Sequence, residues 1–306
     1  MSTQARSHRV RQDPLYFEQL YNPLALIRRI CSQANMAFEA VGIDSLLVVA
    51  VLVAIVAFFY SNLGLGGGQL YVPIMDFFFL SLVMKEIIPL SLSFAFVTML
   101  SSTYSHSRKR LVDFKLGAYL AAGGLVGVAA GVLFTTNADE DLVKGAFATM
   151  LVIVATKMIY DIYTKKKDQT TSPTEHGTKR LLAGIGVSVI TGMLIGSFGI
   201  GGGVVSVPLI IYVFRFEPRR AIGTSAMMGA ILTPAAFAAY ALNESLNGGA
   251  LIHYDLVLVL APIVLLFAFV GSRWGLEKLR TPMVKTIFTC GVYIAAAEMI
   301  YSLLSA

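Results

Sequence analysis

Two glycine-rich stretches combine residue types and spacing that suit the binding of a small anion. GLGGGQLYVP occupies residues 64–73, and GIGGGVVSVP occupies residues 199–208, 135 positions later. Consecutive glycines interrupt a membrane helix, because glycine loses the most backbone entropy on ordering and readily takes positive φ. Proline is tolerated in the first turn of a helix, so Pro73 and Pro208 favour a new short helix after each run. The free N–H groups and partial positive charge of such a helix start attract anions.

Glycines at this density also let membrane helices pack closely, so two roles stay open: close packing and a substrate site. We favour the site, because the break, the proline and the short helix recur together. Small hydroxyl and amide side chains would complete a shell of donors around the anion, although each hydroxyl has the alternative of bonding its own helix. The candidate substrate-binding residues are Gly66, Gly67, Gly68, Gln69, Ser91, Ser93, Gly201, Gly202, Gly203, Thr224 and Ser225.

One acidic residue, Asp76, lies within an apolar stretch that follows the first glycine run. An ionisable residue at membrane depth is a functional candidate by default, so Asp76 is the candidate for coupling transport to a proton or another ion. Its counterpart in the second stretch is Ile211, so this role would break the symmetry. The four histidines form no metal-ligand pattern, and we expect no metal, cofactor or catalytic residue.

The composition requires a bilayer around these stretches. The chain has 306 residues, of which 56% are hydrophobic and 14% charged, with a mean hydropathy of +0.73. Because a spanning helix needs about 20 apolar residues, we predict an all-α polytopic membrane protein in the plasma or inner membrane. The predicted spans are residues 44–63, 87–104, 116–135, 142–163, 181–198, 221–242, 254–272 and 284–304, with two shorter segments at 69–84 and 203–214.

The chain also repeats outside the glycines. IPLS at 88–91 matches IGTS at 222–225, and LVKGAF at 142–147 matches MVKTIF at 283–288. About five hydrophobic segments per copy is an odd number, so we predict two inverted-topology repeats. The predicted organisation is an interfacial N-terminal arm (1–43), a first membrane repeat (44–164), a cytoplasmic linker (165–180) and a second membrane repeat (181–306).

The cationic loops set the expected topology. Lysines and arginines concentrate near residues 108–115, 165–180, 215–220 and 273–280, which predicts that these four loops are cytoplasmic. The loops at 137–141 and 243–249 lack cations and are expected on the outside. This distribution also explains the net charge of +6 without a nucleic-acid partner. Ten crossings fit all six loops but place the arginines of the N-terminal arm outside, and nine crossings would return that arm to the cytoplasm. The sequence leaves this choice open.

The paired glycine stretches, the IGTS sequence and the two-half layout resemble the TauE/SafE sulfite exporter family, also called the toluene-sulfonate uptake permease family. The resemblance covers roughly residues 44–304 and implies transport of sulfite, sulfonates or related anions. By position it carries over to Gly64, Gly66, Gly67, Gly68 and Pro73, to Gly199, Gly201, Gly202, Gly203 and Pro208, and to Gly223, Thr224 and Ser225. The first half departs from the pattern, because it has IPLS where the second has IGTS.

These observations predict a secondary permease for a small sulfur-containing or organic anion, working by alternating access around the two glycine breaks. Its expected partners are the anion, a coupling proton or ion, and the lipid bilayer. An anion channel is the main alternative. An intramembrane hydrolase with Ser197 as nucleophile is disfavoured for want of a partner base, so we expect a transporter and not an enzyme.

Overall fold

The computed structural model describes residues 43–79, 81–163, 178–247, 251–278 and 292–301. The predicted N-terminal arm, except its last residue, and most of the linker lie outside these ranges. The described residues form ten helices and no strand: α1 Ile43–Leu63, α2 Gly68–Phe78, α3 Met84–Arg108, α4 Phe114–Asn137, α5 Glu140–Tyr163, α6 Thr178–Phe198, α7 Gly203–Phe214, α8 Pro218–Asn247, α9 Tyr254–Lys278 and α10 Val292–Tyr301.

The chain is an all-α polytopic membrane protein. Within the described residues, α1, α3, α4, α6, α8 and α9 are long and apolar enough to cross a bilayer. Large apolar side chains remain exposed along the outside of these helices, among them Leu47, Val51 and Ile55 of α1 and Leu265 and Leu266 of α9. Apolar surface of this extent is typical of contact with lipid.

Helix packing follows the internal repeat. The contacts of α4 with α6 and α8 have counterparts in those of α9 with α1 and α3. Likewise α2 packs on α3 as α7 packs on α8, and α1 packs on α2 as α6 packs on α7. The two halves therefore interlock, because α4 and α9 each pack on helices of the other half. Opposite orientation of the halves in the membrane stays a prediction.

The limits of the first short helix and the place of the prolines in both short helices differ from those expected. The first short segment was expected over 69–84, but α2 ends at Phe78 and α3 already begins at Met84. The Val83 backbone is extended, and its N–H donates to the Glu86 carboxylate over 3.2 Å, which fixes the start of α3. Pro73 and Pro208 also differ, since each is the sixth residue of its helix rather than part of the first turn. The breaks thus end at the last glycine of each run.

Glycines set the distance between the crossing helices. A Cβ on Gly192 of α6 would collide with the Gly124 carbonyl of α4, and one on Gly127 would collide with the Val189 carbonyl. In the equivalent crossing of α9 with α1, a Cβ on Gly271 would collide with the Phe58 carbonyl. Backbones in direct contact are the membrane packing that small residues allow.

We expect Gly192→Ala to destabilise the bundle, because the added methyl must push α4 and α6 apart, at about 1–3 kcal/mol. Gly186→Ala in the same helix is the matched control, because a Cβ there meets nothing within 4 Å. The detergent-purified variants should be heated to a series of temperatures, with the folded fraction measured by size-exclusion chromatography. The midpoint temperature of unfolding should be several degrees lower for Gly192→Ala only. Equal midpoints would refute this role of Gly192.

Candidate functional site

Both glycine runs are breaks between a long helix and a short one. The first separates α1 from α2, and the second separates α6 from α7. The N-cap residues Gly67 and Gly202 have φ of 88° and 79°, a conformation that residues with a side chain rarely adopt. Their carbonyls accept the first helical bonds, from the N–H of Tyr71 over 3.0 Å and of Ser206 over 3.1 Å. Glycine is therefore required for each short helix to start at this point.

The two breaks cross in direct backbone contact inside the protein. A Cβ on Gly66 would lie 2.5 Å from the Gly201 Cα, and one on Gly201 would lie 2.5 Å from the Gly66 Cα. A Cβ on Gly68 would collide with the Gly199 carbonyl, as one on Gly203, its equivalent, would collide with the Gly64 carbonyl. Close packing, one of the two roles that the sequence left open, is thus what these glycines provide.

The same crossing brings two helix N-termini together. In α2 the first N–H groups that bond backbone are those of Leu70 and Tyr71, and in α7 they are those of Val205 and Ser206. The amides before them, at the first two residues of each short helix, have no acceptor within the helix. The backbone of the opposite break lies against Gly68 and Gly203 and so occupies one side of each helix start.

Three serines are assembled around the second break. Ser91 of α3 donates to the Gly199 carbonyl over 3.1 Å, and Ser206 of α7 donates to the Gly202 carbonyl over 2.9 Å. The Ser206 and Ser225 hydroxyls are 2.6 Å apart, and all three side chains are buried. The structure therefore places Ser91 and Ser225 at this break, while their role in binding an anion stays a prediction. Ser206 was missed, although it stands within the second glycine-rich stretch, residues 199–208.

At the first break, the Gln69 side chain is fully buried. Its Nε2 donates to the Tyr60 hydroxyl over 2.9 Å, whereas its Oε1 has no partner. Tyr60, in the last turn of α1, is a contact that sequence reasoning missed, because it depends on how α1 and α2 fold back on each other. The first break thus carries an amide side chain with one terminal atom unsatisfied.

Two other candidates bond elsewhere. Ser93 donates to the Leu90 carbonyl of its own helix over 2.6 Å. Thr224 donates to the Arg220 carbonyl over 2.9 Å and accepts from the Asp113 N–H over 3.0 Å. A Cβ on the neighbouring Gly223 would lie 2.6 Å from the Leu111 carbonyl. The IGTS sequence therefore holds the connection between α3 and α4 against the start of α8.

Asp76 forms a buried ion pair. Its side chain is 5% exposed, and its Oδ1 lies 3.2 Å from the Lys144 Nζ of α5. Lys144 also lies 3.5 Å from the Glu140 carboxylate, one turn earlier in α5. The pair explains how a charge is accommodated here. A coupling role for Asp76 stays a prediction.

Two further ion pairs tie one repeat to the other at equivalent positions. Arg220 of α8 lies 3.0 Å from Asp113, and Glu86 of α3 lies 3.6 Å from His253. Asp113 and His253 directly precede α4 and α9, and their carbonyls accept from the N–H four residues on. Arg220 and Glu86 share the offset of 134 residues that relates IGTS to IPLS. The signs are reversed, and the second pair is charged only when His253 is protonated.

A bundle of membrane-length helices in two interlocked halves, with a pair of broken helices crossing at its centre, is the architecture of a membrane transporter. The sequence profile of the family described as Sulfite exporter TauE/SafE matches residues 48–299. The chain belongs to this family, and it is an integral protein of the cell membrane.

Several relatives are similar in sequence over most of their length. The probable membrane transporter protein YjnA of Bacillus subtilis (strain 168) is 27% identical over 240 residues, which cover 75% of this chain and 91% of the relative. The probable membrane transporter protein YunE of the same organism is 24% identical over 269 residues, covering 79% and 92%. The probable membrane transporter protein MJ0441 of Methanocaldococcus jannaschii is 29% identical over 176 residues, covering 56% and 63%. No solved structure shows significant similarity to the chain.

We expect Asp113→Ala to destabilise the protein more than Asp113→Asn. Asp113 caps α4, since its carboxylate accepts from the Leu116 N–H over 3.1 Å, and it also pairs with Arg220. Asparagine keeps the cap and loses only the partly exposed ion pair, whereas alanine loses both, a further cost of about 1 kcal/mol. Thermal melting in detergent should rank wild type above Asp113→Asn and Asp113→Asn above Asp113→Ala. Identical midpoints for the two variants would rule out a contribution from the cap.

Proposed function

We propose that the protein is a secondary permease for a small sulfur-containing or organic anion, such as sulfite or a sulfonate. The family is described as one of sulfite exporters, and the relatives carry the name of probable membrane transporters. In this proposal the anion binds at the starts of α2 and α7, beside the contact between the two glycine breaks, and the two repeats expose it to each side of the membrane in turn.

The observation that carries the proposal is the backbone contact between Gly66 and Gly201. It brings the starts of α2 and α7 together, and each helix start has about half a positive elementary charge and unsatisfied N–H donors. Neither glycine run contains a carboxylate that would oppose an anion. An anion held by amides alone needs no cation in the hydrocarbon region, where a lone lysine or arginine would be costly.

The proposed contact set comprises Gly66, Gly67, Gly68, Gln69, Gly201, Gly202 and Gly203, with Ser91 and Ser225 as positioning residues. The amides at the start of α2 and α7 supply the donors, and the two serines position the second break through its carbonyls and Ser206. We leave Ser93 and Thr224 out of direct contact, because their hydroxyl hydrogens bond their own helices.

The two ion pairs between the repeats suggest how access could alternate. In the predicted inverted topology, the Asp113–Arg220 pair and the Glu86–His253 pair lie at opposite faces of the membrane. Rocking of one repeat against the other would open one pair while the other stays closed. Each tie is weak enough, at partly exposed positions, to break during transport.

Two other functions are less well supported. A channel would carry current without saturation or exchange. The hydrolase alternative needs an activated serine, but Ser197 donates to the Gly131 carbonyl over 3.3 Å, and no base contacts it in the described part of the chain. We therefore propose a transporter without enzymatic activity.

Reconstituted protein should take up labelled sulfite or a short alkanesulfonate into liposomes with saturable kinetics, and unlabelled anion inside should accelerate the uptake. Gly67→Ala and Gly202→Ala should lower this flux at least tenfold, because their Cβ atoms would lie 2.8 Å from the Tyr71 ring and 2.5 Å from Ile195 Cδ1 and so displace the helix starts.

Gly186→Ala should transport like wild type, and elution on size exclusion verifies that each variant is folded. Unchanged flux in folded Gly67→Ala and Gly202→Ala would exclude the proposed site. Current without acceleration by internal anion would favour the channel.

For Asp76, we expect the conservative Asp76→Asn change to abolish uptake driven by a proton gradient and to leave exchange without a gradient intact. The substitution removes the carboxylate that pairs with Lys144, while Lys144 keeps its contact with Glu140. Asp139→Asn, at an exposed position near the start of α5, is the control. Uptake that responds to the gradient as wild type does would argue against a coupling role.

A further inference from the structure

We propose that the C-terminal parts of α3 and α9 form a binding site for the phosphate headgroup of an anionic phospholipid. Two arginines on these neighbouring helices, Arg108 and Arg273, lie beside one stacked pair of aromatic rings. The site is separate from the two glycine breaks, and it does not depend on what the protein transports.

The aromatic stack joins α3 to α9. The rings of Tyr104 in α3 and Phe269 in α9 are stacked, with centroids 5.9 Å apart and an angle of 29° between their planes. Beside them, the buried hydroxyls of Ser105 and Ser272 are 2.6 Å apart. Because α3 belongs to the first predicted repeat and α9 to the second, a lipid bound here contacts both halves of the protein.

Each ring of the stack carries one guanidinium. The Arg108 Cζ lies 5.8 Å from the centre of the Tyr104 ring, and the Arg273 Cζ lies 4.2 Å from the centre of the Phe269 ring. Both are cation–π contacts, which hold a guanidinium in place and leave its N–H edge open to bind phosphate oxygens in pairs. Both arginines are exposed, and neither pairs with a carboxylate in the part of the chain that the structure describes.

The surrounding residues place the two guanidiniums at the depth of the lipid headgroups. Arg108 is the last residue of α3, and the cationic stretches at 108–115 and 273–280 are predicted to be cytoplasmic. Tyr104 is 45% exposed and Trp274 is 47% exposed. Exposed tyrosine and tryptophan near the ends of spanning helices are typical of the membrane interface. Basic pockets between helices at this depth bind anionic headgroups.

The fold does not require these side chains, because the equivalent crossing of α8 with α4 lacks them. The offset of 134 residues relates α3 to α8, and one of 140 residues relates α4 to α9, as it does Asp113 to His253. At these offsets, Arg108 and Arg273 correspond to Leu242 and Leu133, and Tyr104 and Phe269 correspond to Ala238 and Ala129. Both leucines are exposed. The rings and cations are therefore specific to the crossing of α3 with α9.

Cytoplasmic charge alone is the other explanation for arginines near these loops. Orientation in the membrane needs only a cation, however, and any position in the loops would supply it. It does not account for two guanidiniums held over a ring stack that bridges two helices. The test below separates the two explanations by comparing these arginines with another arginine on the same predicted face.

Trp274, the one tryptophan of the chain, reports which lipid lies beside the neighbouring Arg273. The protein is reconstituted in mixtures of phosphatidylglycerol and phosphatidylcholine, with bromine on the acyl chains of one lipid at a time, since bromine quenches the fluorescence of an adjacent tryptophan. We expect brominated phosphatidylglycerol to quench more strongly, with a preference of about fivefold for each arginine. Equal quenching by the two lipids in the wild-type protein would refute the site.

Substitutions connect this preference to the two arginines. Arg108→Gln and Arg273→Gln should each lower the preference about fivefold, and the double variant should lose it. Arg219→Gln is the matched control, because Arg219 is an exposed arginine of α8 in the cationic stretch 215–220, outside the stack. It should quench as wild type does. An effect of Arg219→Gln as large as that of Arg273→Gln would assign the preference to overall charge and overturn the proposal.

Thermal unfolding in detergent gives a second measurement that does not depend on tryptophan. Added phosphatidylglycerol should raise the midpoint temperature of the wild-type protein more than phosphatidylcholine does, because a ligand that binds the folded state stabilises it. The double variant should show no such difference between the lipids. Inorganic phosphate, compared with chloride at equal ionic strength, should not replace the lipid. If it stabilises the protein as well as phosphatidylglycerol does, a free anion occupies the site and the lipid assignment is wrong.

Discussion

The crossing of two glycine breaks is the constraint on which the rest of the structure depends. Gly66 and Gly201 touch through their backbones, and Gly68 and Gly203 lie against the carbonyls of the opposite break, so no side chain fits between them. Broken backbone inside a bilayer must be shielded from lipid, and here each break shields the other. The long helices then follow, since α1 and α6 must end, and α2 and α7 must begin, at this contact.

Around that crossing, the two repeats use the same backbone with different side chains. The hydroxyls of Ser206 in α7 and Ser225 in α8 bond each other, whereas Gln69 in α2 keeps one side-chain atom without a partner. The ion pairs that tie the repeats together also reverse in sign, with Arg220 at one and Glu86 at the other. Shared backbone geometry gives both halves the same scaffold, and the side chains around the two breaks differ.

Much of the fold was readable from the sequence, because membrane-length apolar windows and an internal repeat are local signals. All six candidate spans of the structure were expected, as were the two short helices after the glycines. The end of α2 was predicted too late, because apolar residues continue past Phe78 and the start of α3 depends on Glu86. The contacts of Thr224 with Asp113 and of Gln69 with Tyr60 could not be read, because each joins segments whose meeting depends on the tertiary fold.

The exchange of partners between the halves bears on how the protein is made. Gly192 of α6 packs against Gly124 of α4, and Gly271 of α9 packs against Phe58 of α1, so the crossings of closest approach join residues far apart in the chain. When only the first half of the chain has been synthesised, α1 and α4 lie in the bilayer without these neighbours. Packing of α1 and α4 must therefore wait until α6 and α9 have been synthesised, so the two halves cannot fold one after the other as separate units.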